Sequence, residues 1–193
     1  MAIQTRTTLK GYFNAGDEPT ETHFSDLIES SAEVNFVYQT EASDDVDYSS
    51  TISGSTNIII NGAMASGKDI RLPEATTSNG GMVIKLLWLL APAAQCNIGF
   101  VTTKIVGGAS VIGAATEGNA PTDLAMVSSA VGTANLRIEI DVDAAAKAGG
   151  HPGSVMEFIY TGVANTVFYR GYLHADVDDA TLATHFTTTA ITS

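Results

Sequence analysis

A chain of 193 residues with 45% hydrophobic and 16% charged side chains is long enough to bury a core and too apolar to stay disordered. The formal net charge of −12 argues against direct nucleic-acid binding, which needs cations to displace counterions from phosphates. A single cysteine, Cys96, excludes an intrachain disulfide, and its apolar neighbours predict a small core residue.

The sequence predicts neither membrane insertion nor export. The longest apolar run, residues 82–91, is interrupted by Lys85 and is far shorter than the roughly 20 residues that cross a bilayer. The first six residues lack the apolar segment of a signal peptide. We therefore expect a protein that is made in the cytoplasm and has no membrane contact.

The first predicted element is a short amphipathic helix. Pro19 disfavours helix just before it, and Thr20 is placed to act as the N-cap. Phe24, Leu27 and Ile28 would then share one apolar face. A helix this short is not stable alone, so we expect it to dock on another surface.

The segment around this helix carries a sequence pattern that points to a family. Residues 10–30 read Lys-Gly-Tyr-Phe-x-x-Gly-Asp-x-Pro-Thr-x-x-x-Phe-x-Asp-Leu-Ile-x-Ser. The pattern resembles a segment near the N-terminus of many tailed-phage virion proteins, including capsid decoration, head-fibre and tail-fibre-like proteins. The resemblance implies a virion structural protein that associates with itself as a trimer, and it leaves the place of the protein in the virion open. His23 stands where these proteins often carry Gln, so the pattern does not predict a capping box.

Acidic residues are concentrated in one part of the chain. Residues 11–67 contain ten Asp or Glu and no Lys or Arg. One interpretation is a solvated surface, and the other is a face that meets a basic partner.

The rest of the sequence predicts short strands, because the apolar period changes from 3.6 to 2 near residue 45. The predicted strands are Val46–Ile52, Asn57–Asn61, Ile70–Pro73, Met82–Leu90, Asn97–Thr102, Ser110–Ala114, Asp123–Ser128, Leu136–Asp143, Val155–Tyr160, Thr166–Leu173 and Phe186–Thr192. We predict an all-β protein with a β-sandwich or jelly-roll-like domain over residues 46–193 and an N-terminal helical appendage over residues 1–45.

A second pattern in the β-region also resembles phage proteins. Residues 70–81 contain Leu-Pro-x-Ala-Thr followed by Gly-Gly, as in the β-domains of phage fibre and decoration proteins. Aromatic residues on the last strands predict cross-strand pairs, for which ordinary core packing is the simpler explanation. These residues are Phe158, Tyr160, Phe168, Tyr169 and Tyr172.

The candidate chemical motifs are incomplete. Residues 62–68 match G-x-x-x-x-G-K, but Asp69 replaces the magnesium-binding Ser or Thr and Pro73 follows too soon for a helix, so we expect a Gly-rich hairpin turn. Asp176, Asp178 and Asp179 lack the Gly and the distant Glu of an EF-hand loop.

The remaining candidates give no catalytic or metal site. His23, His151, His174 and His185 show no metal-ligand spacing, and satisfied structural roles are expected for the last two. Acidic residues on the Leu136–Asp143 strand alternate with apolar ones as on a solvated sheet face. The sequence predicts no catalytic residue, cofactor site or metal site.

The leading hypothesis is a capsid decoration (cement) protein that binds the major coat protein on the outside of the shell as a homotrimer. The first alternative is a short head-fibre, tail-fibre or receptor-binding component with a carbohydrate site near Trp88 or the Tyr-rich strands. The second is a free-standing host enzyme or binding module, for which the incomplete phosphate-loop motif is the best support. No repeat is visible in the sequence, which argues against a fibre shaft. The predicted contact residues are the apolar Tyr12, Phe13, Phe24, Leu27 and Ile28 and the acidic Asp17, Glu18, Asp44 and Asp45. The apolar stripe could equally pack on the protein's own β-domain.

Overall fold

The computed structural model describes residues 10–12, 18–24, 35–40, 44–65, 67–113, 124–128, 134–141, 149–175 and 185–191. By contact clustering the chain forms two compact units, Met1–Asn35 and Phe36–Ser193. In the smaller unit, residues 21–24 are helical, inside the predicted helix. The boundary between the units precedes the position near residue 45 that the sequence pattern predicts.

Twelve strands lie in the described parts of the chain. They are β1 (Asn35–Gln39), β2 (Val46–Asp47), β3 (Thr56–Ile60), β4 (Lys68–Arg71), β5 (Val83–Trp88), β6 (Cys96–Gly99), β7 (Lys104–Gly113), β8 (Leu124–Ser128), β9 (Arg137–Ile140), β10 (Val155–Tyr160), β11 (Thr166–Ala175) and β12 (Phe186–Thr187), with a 3-10 turn at Thr77–Asn79.

The strands form two mixed sheets with a shared core. The large sheet has the order β1-β3-β5-β10-β11-β7-β8, and the small sheet has the order β12-β9-β6-β4-β2. The predicted all-β, sandwich-like class is confirmed. A jelly-roll topology is not established, because β2–β4, β3–β5, β4–β6 and β7–β11 are parallel pairs whereas a jelly roll consists of antiparallel Greek keys.

Two successive turns of the chain stack on one another with constant register. From β2 to β7 the chain alternates between the sheets, so β3 and β5 pair in the large sheet while β4 and β6 pair in the small one. Thr56 pairs with Ile84 and Lys68 with Cys96, so both pairs are 28 residues apart. Residues 56–71 and 84–99 are thus two equivalent coils, a structural repeat that the sequence pattern did not reveal.

The interior of the coils is filled by matching apolar side chains. In the large sheet Ile58 lies beside Leu86 and Ile60 beside Trp88, and all four side chains are buried. Cys96 is fully buried, with its Sγ 3.6 Å from the sulfur of Met64, which confirms the predicted core role. Burial raises the pKa of the Cys96 thiol far above its ordinary value, with a further contribution from nearby Asp69.

One carboxylate connects the two coils at the Leu-Pro-x-Ala-Thr segment. Glu74 accepts backbone N–H bonds from Val101, Thr102 and Thr103 and hydroxyl bonds from both threonines, at 2.7–3.2 Å. Burial alone would raise the pKa of Glu74, but these hydrogen bonds outweigh it and the pKa is lowered. The ionised form of Glu74 is therefore part of the folded structure.

The same segment is held from the other side by the β10–β11 hairpin. The buried Tyr160 hydroxyl donates to the carbonyl of Pro73 at 2.7 Å, and the backbone N–H of Asn165 donates to the carbonyl of Ala75 at 2.9 Å. The hairpin itself is the predicted one, with Tyr160 paired to Val167. Its turn contains Gly162 and Asn165 at positive φ, a conformation that these residue types tolerate.

Several predicted strand boundaries are wrong. The predicted strand Val46–Ile52 ends at Asp47, because residues 48–52 form a turn in which the N–H groups of Thr51 and Ile52 bind the carbonyl of Tyr48. β7 begins at Lys104, six positions before the predicted start, because Gly107 and Gly108 are tolerated inside it.

Gly99 provides a test of the close approach between neighbouring strands β6 and β9 of the small sheet. A Cβ at Gly99 would lie 2.6 Å from the backbone Cα of Arg137 on β9. We expect Gly99→Ala to lower the free energy of unfolding by about 1–3 kcal/mol or more, since backbone must shift. Urea unfolding measures this change. Gly54→Ala is the matched control, because a Cβ there meets nothing within 4 Å, and an equal loss in both variants would contradict the prediction.

Burial of His185 should make the stability of the protein depend on pH. It is fully buried, and neither ring nitrogen has a hydrogen-bond partner, which corrects the expectation of a satisfied histidine. Burial lowers its pKa to about 3 from 6.5. Between these values the unfolded chain binds a proton that the folded chain does not, so stability falls as pH falls through this window.

We expect the free energy of unfolding of the wild-type protein to fall by about 2 kcal/mol between pH 6.5 and pH 5 because of this effect. His185→Phe keeps an aromatic ring beside Tyr169 and Phe186 and should lose that dependence. Urea unfolding at the two pH values measures it. Glu74, Glu157 and Asp47 have lowered pKa values and lose their contribution only at lower pH. Equal pH dependence in both proteins would refute the assignment.

Candidate interaction surface

The predicted helix start is confirmed at its N-cap. The Thr20 hydroxyl accepts the backbone N–H of His23, and the backbone N–H of Thr20 donates to Nδ1 of His23, both at 3.3 Å. This is a capping box in which His replaces the usual Glu or Gln, although the pattern had not predicted one. The ring of Tyr12 stacks on His23 with centroids 4.0 Å apart, so His23 is half-buried.

The predicted contact residues lie on both units. In the smaller unit Glu18 is exposed, Phe24 is 50% exposed and Tyr12 is half-buried. In the larger unit Asp44 and Asp45 are exposed, and an Asp45 carboxylate oxygen accepts the backbone N–H of Asp69 at 2.9 Å. The remaining four predicted contact residues, Phe13, Asp17, Leu27 and Ile28, lie outside the described residues.

A larger candidate surface lies on the large sheet, on the face that points away from the core. We call it the outer face. Along β11 the side chains of Val167, Tyr169 and Leu173 are buried, so the alternate residues Phe168, Arg170 and Tyr172 point to the outer face. Phe168 is 41% exposed and Tyr172 is 47% exposed.

Strand pairing arranges the outer face in rows. Phe168 pairs with Ile159 and Val106, and Ile159 pairs with Val83, which gives one apolar row across four strands. A second apolar row is formed by Leu87, Val155 and Tyr172. On the edge strand β1, Val37 packs against the core and leaves Phe36 and Tyr38 exposed.

A row of charged residues separates the two apolar rows. Glu157 pairs across the strands with both Lys85 and Arg170. Its carboxylate lies 3.1 Å from the Lys85 ammonium and accepts a hydrogen bond from Nε of Arg170. The Arg170 hydrogen bond, followed by the Lys85 contacts, holds the pKa of Glu157 below its usual value against the opposing effect of burial.

A depression of about 190 Å³ opens on the outer face next to this row. Its lining residues are Val155, Glu157, Arg170, Gly171 and Tyr172. The depression combines one exposed aromatic ring with a paired carboxylate and guanidinium.

The outward side of the small sheet is different in character. Asp69, Asn97 and Glu139 align across β4, β6 and β9, and all three are buried. Asn97 donates to Asp69 at 2.7 Å, and the Arg137 guanidinium binds Glu139. The expected solvated face on β9 is therefore wrong at Glu139, and this polar row is largely satisfied within the protein.

The candidate nucleotide loop has the wrong surroundings for phosphate binding. It leads from β3 in one sheet to β4 in the other, so it is a connection between sheets and not the expected hairpin turn. Lys68 and Asp69 belong to a strand, whereas a phosphate-binding loop opens a helix. The Met64 side chain fills the core.

Among the described residues no group of three or more His, Cys, Asp or Glu could hold a metal ion. Asp176, Asp178 and Asp179 lie outside those residues. No helix in the described part of the chain is long and apolar enough to cross a membrane.

Comparison of this chain with protein-family models, with curated proteins and with solved structures finds no match.

The outer face is hard to recognise in the sequence because aromatic residues occupy both sides of the last strands. Phe158, Tyr160 and Tyr169 are buried as the core interpretation expects, whereas Phe168 and Tyr172 are exposed. The period-2 alternation from Val167 to Leu173 carried the signal, since it places Phe168 and Tyr172 opposite the buried residues.

Proposed function

We propose that this protein is a non-enzymatic structural component of a tailed-phage virion, namely a capsid decoration protein that binds the outside of the coat shell. The observation that carries the proposal is the outer face, because soluble monomers rarely expose a continuous apolar surface of this kind without a partner, here a coat subunit or another copy of the chain. The N-terminal pattern of residues 10–30 supports the virion setting through its resemblance to phage proteins.

The proposed mechanism is mechanical. The protein, as a homotrimer, bridges neighbouring subunits of the major coat protein and adds buried interface that resists the pressure of packaged DNA. Each contact is modest, but simultaneous binding to several coat subunits raises the overall affinity through effective concentration. Neither nucleic acid nor a membrane takes part in this mechanism.

The exposed acidic residues support a contact with a basic region of the coat. Asp44 and Asp45 are exposed in a segment without a single Lys or Arg. A basic region of the coat would attract this segment, and added salt would weaken the attraction.

The virion location is tested by labelling. Antibody against this protein should bind all over the heads of particles purified from the phage that encodes it. Labelling confined to one patch at the tail, or no labelling, would overturn the decoration role.

Asp44→Asn tests the electrostatic contact with the coat. Removing an exposed charge costs about 0.2–1 kcal/mol at each of three subunits, so the dissociation constant from undecorated shells should rise by roughly threefold to a hundredfold at low salt. Co-sedimentation with shells measures it. Ala93→Lys changes the net charge equally at an exposed site and is the matched control; equal effects would mean that only net charge matters.

The depression favours carbohydrate binding as a second candidate function. Tyr172 offers an exposed ring beside Glu157 and Arg170, which could accept and donate hydrogen bonds to sugar hydroxyls. Trp88 is 1% exposed and is ruled out as a sugar platform.

Under this second function, glycan-array binding should be abolished by Tyr172→Ala. Tyr38→Ala is the control, since Tyr38 is also exposed but does not line the depression. An array without any bound glycan, together with binding to shells, would eliminate the carbohydrate function.

A further inference from the structure

The outer face carries positive charge in a strongly acidic protein. Its described charged residues are Lys85, Lys104 and Arg170 against a single carboxylate, Glu157. The whole chain has a formal net charge of −12. The outer face is therefore complementary in sign to most of the rest of the molecule.

The charged row contains N–H donors of Arg170 that can bind a group on a partner. The Arg170 side chain is 66% exposed, and its described bond uses only Nε, while Glu157 is already shared with Lys85. Most of the guanidinium N–H donors remain for an outside acceptor, and a carboxylate fits them best. Exposed Phe168 and Tyr172 lie on either side of Arg170 along β11.

Two outer faces would not bind each other well, because the contact would bring cations against cations. The acidic segment of the chain has the opposite properties. Glu18 and Glu21 are exposed, and the same short stretch exposes the Phe24 ring. Residues 11–67 contain no cation that would oppose the contact.

We propose that the protein self-associates head to tail, with the acidic segment Glu18–Phe24 of one copy bound to the outer face of the next copy around Phe168, Arg170 and Tyr172. The carboxylates lie against Arg170 and Lys104, and Phe24 covers the apolar rows. Seven strands spaced by about 4.8 Å make the face about 30 Å wide, which accommodates a helix of about 10 Å diameter.

Head-to-tail contacts between different surfaces close into rings when the rotation between copies allows it. The inference rests on the self-association that the proposed function includes. It assigns Glu18 and Phe24 to a sister copy and leaves Asp44 and Asp45 for the coat.

The test compares full-length variants by light scattering after size exclusion and by sedimentation equilibrium. The face variant is Lys104→Glu with Arg170→Gln, and the arm variant is Glu18→Lys with Glu21→Lys. Each should weaken self-association at least tenfold, because each brings like charges together. The combined variant pairs a basic arm with an acidic face and should recover most of the lost affinity.

Lys68→Glu with Arg71→Gln is the matched control, since it makes the same chemical changes on the small sheet. It should retain the wild-type oligomer. If the face variant fails to fold, Phe168→Ser with Tyr172→Ser tests the same face without altering charge and should also weaken association.

A wild type that stays monomeric, a face variant that associates like wild type, or a combined variant as weak as the single ones would each overturn the proposal. Binding to shells is measured separately. A wild type that binds shells but does not self-associate as proposed would reject this inference alone. A wild type that self-associates but does not bind shells would reject the decoration role alone.

Discussion

The fixed offset of 28 residues between two stacked coils is the constraint on which the larger unit depends. Because the offset is the same in both sheets, each side chain in one coil has a partner at the same position in the next. The loops between the sheets also bind each other: the N–H of Ala93 donates to the carbonyl of Met64, and the N–H of Gly67 donates to that of Gln95. A slip by one residue would turn apolar side chains out of the core in both sheets at once.

Glu74 stabilises this register at the point where the chain leaves the first coil. A carboxylate that accepts five hydrogen bonds from three successive residues just after the next coil fixes both position and direction. Tyr160 attaches the adjacent Pro73 to the β10–β11 hairpin. The stacked coils and the antiparallel hairpin are thus held together at one short segment, Leu-Pro-x-Ala-Thr.

The sequence predicted what depends on local alternation and missed what depends on distant pairing. Val155–Tyr160 was predicted to the residue, because a clear strand precedes a Gly162–Asn165 turn. The parallel pairing of β3 with β5 has no local signal, since it arises from the loop lengths and from the shared core. Likewise, alternation places Phe168 and Tyr169 on opposite sides of β11 but does not say which side faces the core. The capping role of His23 was missed because imidazole Nδ1 replaced the expected carboxylate or amide acceptor.

The two sheets differ in how the charged residues on their outward sides are arranged. On the small sheet Asp69, Asn97 and Glu139 are buried and satisfied largely by internal bonds, so that side has little to offer a partner. On the large sheet one buried carboxylate, Glu157, is shared between two cations that are themselves exposed. Such a row keeps the cations in fixed positions without neutralising them completely. Flanked by apolar rows, it forms the surface to which we propose that an acidic partner binds, with burial as the source of affinity and fixed charge as the source of selectivity.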